Sequence, residues 1–292
     1  MKYLYYPGCS LHSTAVEYGD SFKRICKQLD IELKEIDNWV CCGTTPAHSS
    51  SKFLSVTLPI FNLKLAEKDN IDNLLVPCSS CYSRFRTAVF EMENDKELGK
   101  KVEYILDSKF DNKIKIKHPL EVFSNDNELK KTEGKIKKKL DGMKIACYYG
   151  CLLTRPPEVT NFDSTEYPMT MDKILRNLGA DTIDWSYKTD CCGASLALTK
   201  SDIVKKMSKD ILENARDSGA EAIVAACPLC QSNLDLWQKP IEIEYKQHLS
   251  LPVFYFSQMI GLALGISSMD LGLSKLMVSP FELLKQKGVI RV

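Results

Sequence analysis

The sequence predicts an α/β protein of two pseudo-repeated domains, each a small parallel sheet flanked by helices. Three observations lead there. A pattern of five cysteines is written twice: first as Cys9, Cys41-Cys42-Gly43 and Cys78-Ser79-Ser80-Cys81, then as Cys151, Cys191-Cys192-Gly193 and Cys227-Pro228-Leu229-Cys230. The intervals nearly match, with 31 and 39 residues before the double cysteine and 35 and 34 after it. Around the cysteines, short apolar runs alternate with stretches of helical period, as expected of strands joined by crossover helices.

The elements follow in order. Lys2-Tyr3-Leu4-Tyr5-Tyr6-Pro7-Gly8-Cys9 matches Lys144-Ile145-Ala146-Cys147-Tyr148-Tyr149-Gly150-Cys151, and each reads as a buried strand ending in a Gly-Cys turn. A helix follows in each half, with Ala15, Tyr18, Phe22, Ile25 and Leu29 on one face in the first. In the second, Met171, Ile174, Leu175 and Leu178 share a face and Gly179 is a stop signal. Short strands at 31–36 and 181–185 lead to the Cys-Cys-Gly turns. The next helix is clear in the second half: Ser201 as cap, Ile203, Val204, Met207, Ile211 and Leu212 as apolar face, Gly219 past the end. In the first half Pro59 predicts a kink or break between Phe53 and Ala66. Buried strands at 73–76 and 222–226 run into the Cys-x-x-Cys motifs, and final strands fall at 113–117 and 253–256. The first domain is placed at 1–125, a linker at 126–141 and the second domain at 142–292. The lysines of 130–139 read as a solvated helix face. After Gly265 the tail reads as loops with a short helix at 281–287.

Parallel strands joined by right-handed crossovers put every motif cysteine just past a strand C-terminus. In open α/β sheets that edge is where ligands bind. Composition narrows the chemistry. A net charge of +1 gives no ground for nucleic-acid binding, and 44% hydrophobic residues allow each half a real core. No secretory leader and no run of about 18 apolar residues for a membrane span is visible, so a cytoplasmic protein is expected. Clustered cysteines in that compartment more often bind metal or do redox work than form structural disulfides.

Thiolates suit zinc, copper(I) and iron–sulfur clusters. A structural zinc takes four ligands in a closed tetrahedron. Five sulfurs per half are one too many, and adjacent cysteines fit neighbouring metal ions better than one ion. A multi-iron cluster accounts for the count, with zinc in one half, or redox disulfides, as the alternatives. The bacterial ferredoxin pattern is absent, as are Gly-x-Gly-x-x-Gly and a P-loop, so if the clusters perform redox chemistry their electrons must come from another protein. Cys26 and Cys147 stand outside the pattern and read as core residues. His12, His48, His118 and His248 make no metal-spaced pair and read as surface or structural residues.

The arrangement resembles the cysteine-rich CCG-domain family; the first copy fits its spacing and the second is one residue short in its last gap. Within that family, two copies with nothing fused to them resemble the B subunit of heterodisulfide reductase. Tyr5-Tyr6-Pro7-Gly8-Cys9, Val76-Pro77-Cys78-Ser79-Ser80-Cys81 and Tyr148-Tyr149-Gly150-Cys151 carry the likeness along with both Cys-Cys-Gly turns and Cys227-Pro228-Leu229-Cys230.

The resemblance implies reduction of the mixed disulfide of coenzyme M and coenzyme B in the last step of methanogenesis. It implies two noncubane 4Fe-4S clusters, one held by Cys9, Cys41, Cys42, Cys78 and Cys81 and the other by Cys151, Cys191, Cys192, Cys227 and Cys230. It also implies partners: the iron–sulfur C subunit of heterodisulfide reductase, its flavin-bearing A subunit, and a hydrogenase or formate dehydrogenase beyond them. Two one-electron centres would then serve the two sulfurs of one substrate disulfide. That substrate carries a sulfonate, a carboxylate and a phosphate, which nominates His12 and Arg155 in the loops after Cys9 and Cys151 as contacts, with Lys52, Arg84 and Arg86 as further options. The alternative is an iron–sulfur electron-transfer component of a glycolate-, lactate- or succinate-type oxidoreductase complex. A zinc-stabilised scaffold is the third reading.

Overall fold

The computed structural model describes residues 1–44 and 46–290. Each half holds a four-stranded parallel sheet. The first is built from β1 (Lys2–Tyr5), β2 (Glu32–Glu35), β3 (Asn73–Leu75) and β4 (Lys115–Lys117), in the order β2-β1-β3-β4. The second repeats that order as β6-β5-β7-β8, with β5 at Lys144–Tyr148, β6 at Asp181–Thr182, β7 at Ala222–Ala225 and β8 at Val253–Tyr255. Tyr5 sits opposite both Glu35 and Leu75, and Ala225 opposite both Tyr148 and Tyr255. The chain leaves the central strand toward one side and returns on the other. The switch therefore falls between β1 and β3, and again between β5 and β7, where a crevice opens at the strand ends.

Burial explains the strand sequences. β7 is buried at every position and β5 at all but its first, because helices cover both faces. β2 lies at an edge, and no residue of it is fully buried. The first-half helix Val16–Gln28 runs between Ala15 and Leu29, and the predicted face is wholly buried. Its second-half counterpart, Thr170–Asn177, buries Met171, Ile174 and Leu175 in the same way.

Pro59 does not break its helix. Lys52–Ala66 is continuous through it, and Val56, Pro59, Ile60, Leu63 and Ala66 together form the buried face. The pyrrolidine is one of the packed side chains, and that contact offsets the missing backbone donor. Ser201 is the first residue of the helix Ser201–Asp217 rather than its cap; Lys200 holds the cap position.

The two halves are packed reciprocally. The helix after β1, Val16–Gln28, lies against the helix after β8, Phe256–Ala263. The helix after β5, Thr170–Asn177, lies against the one after β4, Pro119–Phe123. At the first contact Ser21 Oγ is 2.7 Å from Ser257 Oγ. Beside it the rings of Tyr18 and Tyr255 stack 4.4 Å apart with their planes 2° from parallel. One continuous core draws on both halves.

Segments that looked peripheral also join the halves. In the 126–141 segment, only Asp126–Glu133 is helical, and its lysines are not simply solvated. Lys131 donates to the Leu29 carbonyl, and Lys135 donates to Asp30 (2.7 Å) and to the Gln28 carbonyl. These cations meet the exposed carbonyls at the end of the helix Val16–Gln28, where positive charge is favoured. The tail packs Leu271, Leu273, Leu276 and Leu284 into the core. It bonds to both repeats, through Arg24–Asp270 at 3.0 Å and through the Met277 and Val278 amides that donate to Asp235.

His118 sits fully buried at the joint. Its Nε2 lies 3.0 Å from the Pro77 carbonyl and its Nδ1 accepts from the Leu120 amide. Burial holds its pKa down at about 4, so it is neutral in the fold. The unfolded chain takes up a proton near pH 6.5 that the folded chain refuses. Stability is therefore fully present above that pH and lost as pH falls toward 4. The loss reaches about 2 kcal/mol at pH 5. Thermal unfolding should show a lower midpoint at pH 5 than at pH 7.5. His118→Gln, less stable at pH 7.5, should lose less over the same interval; an equal loss contradicts the assignment.

Candidate metal centre

Each strand end delivers its cysteine by a distinct local device, used in both halves. Cys9 and Cys151 follow Gly8 and Gly150, whose φ angles of +68° and +70° lie in the left-handed region. A Cβ at Gly8 would stand 3.1 Å from Cys81 Sγ, and one at Gly150 2.9 Å from Cys230 Sγ. Glycine is needed there for the turn and for the space beside the thiols. The double cysteines end in Gly43 and Gly193, also left-handed. The carbonyl just before each pair is held by an equivalent tyrosine: Tyr6 donates to Val40 O at 2.8 Å and Tyr148 to Asp190 O at 2.5 Å. Cys78 and Cys227 stand at the N-caps of the helices Ser79–Asn94 and Pro228–Leu236, and Cys81 and Cys230 lie in their first turns. A helix N-terminus favours the thiolate that metal binding requires.

The five thiols of each set converge. Cys42 Sγ lies 3.2 Å from Cys81 Sγ, and Cys192 Sγ 3.7 Å from Cys230 Sγ. Cys9 touches Cys41, Cys151 touches Cys191, and each Cys-x-x-Cys pair is in mutual contact. In these contacts one partner takes the charge and the other keeps the proton. Hydrogen bonds from Cys42 and Cys9 push the Cys41 thiol down, and the bond from Cys151 brings Cys191 to about 6. Cys9 and Cys151 are correspondingly pushed up by their contacts with Cys41 and Cys191. Cys41 and Cys191 are exposed and Cys42, Cys78, Cys192 and Cys227 are buried, but Cys9 is exposed where Cys151 is half-buried, and Cys81 is buried where Cys230 is half-buried.

The two sets meet. Cys78 contacts Cys227 across the joint, and Ser80 Oγ is 3.8 Å from Cys227 Sγ. Tyr18 OH donates to Pro77 O at 3.0 Å and lies 3.5 Å from Ala226 O, the carbonyls that precede those two cysteines. Ser79 Oγ also donates to Ala226 O, at 3.3 Å.

A cavity of ≈ 360 Å³ opens at the second set. All five of its cysteines line the wall, and Thr44, His48, Ser80 and Arg84 come from the first half. Arg84 Nη1 donates to His48 Nδ1 at 2.9 Å. The guanidinium charge, with some burial, pushes His48 down and keeps its ring neutral. The cavity wall contains no carboxylate among the described residues. Beneath the second set lies a buried ion pair, Lys188–Asp172 at 2.8 Å, and Tyr149 OH donates to Asp172 at 2.7 Å. The Lys188 carbonyl accepts from the amides of Tyr149 and Gly150. The first half carries Pro7 at the position of Tyr149 and has no such network among the described residues.

The other nominated cations lie outside this wall. His12 pairs with Glu35 at 3.2 Å and rests edge-on against Trp39. Arg155 pairs with Glu166 at 2.7 Å and donates to the Thr189 carbonyl at 3.1 Å. Lys52 pairs with Glu91 and Asp95, and Arg86 donates to Val159 O. Cys26 and Cys147 are core residues, as expected.

The donor set fits iron–sulfur chemistry: ten soft thiols, with no carboxylate or imidazole among them. No three or more of the described His, Cys, Asp or Glu side chains are arranged around one metal ion; the close contacts are sulfur pairs spread over three turns. No described helix is long and apolar enough to cross a membrane.

Known proteins share this repeated cysteine-rich organisation. A family model described as "Cysteine-rich domain" (CCG) matches residues 3–86 and again 145–235. The chain belongs to this cysteine-rich CCG-domain family, in the group that includes the B subunits of heterodisulfide reductases. It is 32% identical to the 8-methylmenaquinol:fumarate reductase membrane anchor subunit of Wolinella succinogenes, over 94% of this chain and 95% of the relative. It is 32% identical to a protein of Archaeoglobus profundus described as like the B subunit of heterodisulfide reductase, over 91% of each. It is 27% identical to the B subunit of the ferredoxin/F(420)H(2)-dependent CoB-CoM heterodisulfide reductase of Methanosarcina acetivorans, over 95% of this chain and 94% of the relative.

Gly150→Ala tests the second site. Gly150, at φ +70° and ψ 174°, lies in a region that disfavours alanine by about 1–3 kcal/mol, and an added methyl group meets Cys230 Sγ. Iron bound per chain after anaerobic reconstitution should fall toward half the unaltered value. Full iron content would show that the Gly-Cys turn does not shape the site.

Proposed function

We propose that this chain is the disulfide-reducing component of a heterodisulfide reductase complex, acting on coenzyme M–coenzyme B disulfide in the last step of methanogenesis. One observation carries the reading: the ≈ 360 Å³ cavity is lined by all five thiols of the second set and is closed from the other side by the first half. In this reading Cys9, Cys41, Cys42, Cys78 and Cys81 hold one noncubane 4Fe-4S cluster. Cys151, Cys191, Cys192, Cys227 and Cys230 hold the second.

When bound, the clusters supply the two electrons that a disulfide needs, with two protons, to leave as two thiols. The chain's own residues do the rest. Cys78 and Cys227 bring the two sets into contact, so a ligand over one set is near the other. Leu152, Leu229 and the ring of Tyr149 make the apolar wall that limits water. The anionic groups of the substrate face a wall without carboxylates. His12 and Arg155 are the next candidate contacts, and each would leave Glu35 or Glu166 to meet a ligand. Electrons enter through the iron–sulfur C subunit from the flavin-bearing A subunit, fed by a hydrogenase or formate dehydrogenase, in the cytoplasm.

A second reading has its own support, the 32% identity over nearly the whole chain to the Wolinella fumarate reductase protein. There the chain passes electrons within a succinate-type, or glycolate- or lactate-type, oxidoreductase complex and reduces no disulfide. Anaerobic purification with bound partners separates the two. The first reading expects a brown, iron-replete complex with two paramagnetic iron–sulfur centres that turns over coenzyme M–coenzyme B disulfide. An iron-replete complex that leaves the disulfide untouched but oxidises a quinol establishes the second.

A further inference from the structure

We propose that Arg84, seated by His48, selects an anionic ligand in the cavity over the second thiol set. This rests on the reading of that cavity as a substrate site and specifies what recognises the substrate's acidic group. Arg84 is the one lysine or arginine among the described residues that line the cavity. It belongs to the first half, on the helix Ser79–Asn94, yet serves the space above the second half's cysteines. Arg24, Arg155 and Arg216 each face a carboxylate within 3.0 Å. Arg84 has no carboxylate partner among the described residues; it donates to a neutral imidazole nitrogen at 2.9 Å.

That arrangement fixes the guanidinium without cancelling its charge. His48 occupies one nitrogen and leaves the rest of the planar fork for a ligand. A guanidinium fork matches a carboxylate, sulfonate or phosphate by two parallel hydrogen bonds. The acidic end of a thiol or disulfide would lie against Arg84 while its sulfur faces the cysteines. The first half thus supplies specificity to the second half's site, and neither repeat forms it alone.

The test uses the full chain, iron-loaded and anaerobic, and a pair of probes of matched length, 3-mercaptopropionate and 3-mercapto-1-propanol. Each is titrated against the visible absorption of the protein. The anionic thiol should bind the unaltered chain about tenfold more tightly than the neutral one. In Arg84→Gln the two affinities should become equal through loss of the anionic thiol's advantage alone. Arg84→Lys, which keeps the charge and loses the fork, should fall between. His48→Leu should narrow the difference with iron content unchanged.

A preference that survives in Arg84→Gln overturns the assignment while leaving the cavity a thiol site. An equal weakening of both thiols also overturns it, and places Arg84 in the charge balance of the thiolates instead. No response of the unaltered protein to either thiol removes the substrate-site reading, and the assignment with it.

Discussion

Of the buried hydroxyls where the two repeats meet, that of Tyr18 spans both cysteine turns. Tyr18 OH reaches the carbonyls of Pro77 and Ala226, the residues that introduce Cys78 and Cys227. A buried carbonyl left without a donor costs about 1–3 kcal/mol, so these contacts constrain both turns at once. Stacking of Tyr18 on Tyr255 fixes the ring, and His118 adds a second donor at Pro77. Fixing these two turns relative to each other brings the two thiol sets into contact. The reciprocal helix pairs and the tail then hold the joint closed.

Much of this was legible in the sequence because it follows from period and topology. Glycine after strand and double cysteine, and apolar faces at helical spacing, report local geometry that does not depend on the partner repeat. Cys9, Cys42 and Cys81 converge because parallel strands end on the same edge. What depends on the other half was not legible. Nothing in the spacing of Lys131 and Lys135 shows that they meet the end of the helix Val16–Gln28. Pro59 looked like a helix breaker because its packing surface lies elsewhere in the chain. Arg84 was one of several cations near a motif, and only tertiary structure singles it out. The loops expected after Cys9 and Cys151 are one-turn helices, Gly8–Leu11 and Cys151–Thr154, with His12 and Arg155 at their C-caps, and each of these two is already matched by a carboxylate whose position the sequence did not reveal. Tyr6 and Tyr148 were visible as a repeated residue; their role in holding the carbonyl before each double cysteine became apparent from the fold.

The repeats share their five-cysteine pattern and differ in surroundings. The second half rests on the buried Lys188–Asp172 pair, with Tyr149 bonded to Asp172, where the first has Pro7. Such a pair is a weak source of stability but a strong geometric constraint, since separating either partner strands a buried charge. It lies under the set that opens to the cavity. The first half contributes the facing wall instead, through His48, Ser80 and Arg84. Duplication therefore yields two matching sets of five thiols and one cavity walled by both halves.

We propose that ten cysteines form two adjoining iron–sulfur sites. Anomalous scattering at the iron absorption edge, measured on crystals grown from anaerobically purified protein, tests it most directly. Two multi-iron peaks are expected, one within each set of five cysteines, lying on either side of the Cys78–Cys227 contact. A single iron peak, or a lone zinc ion in place of either, would contradict it.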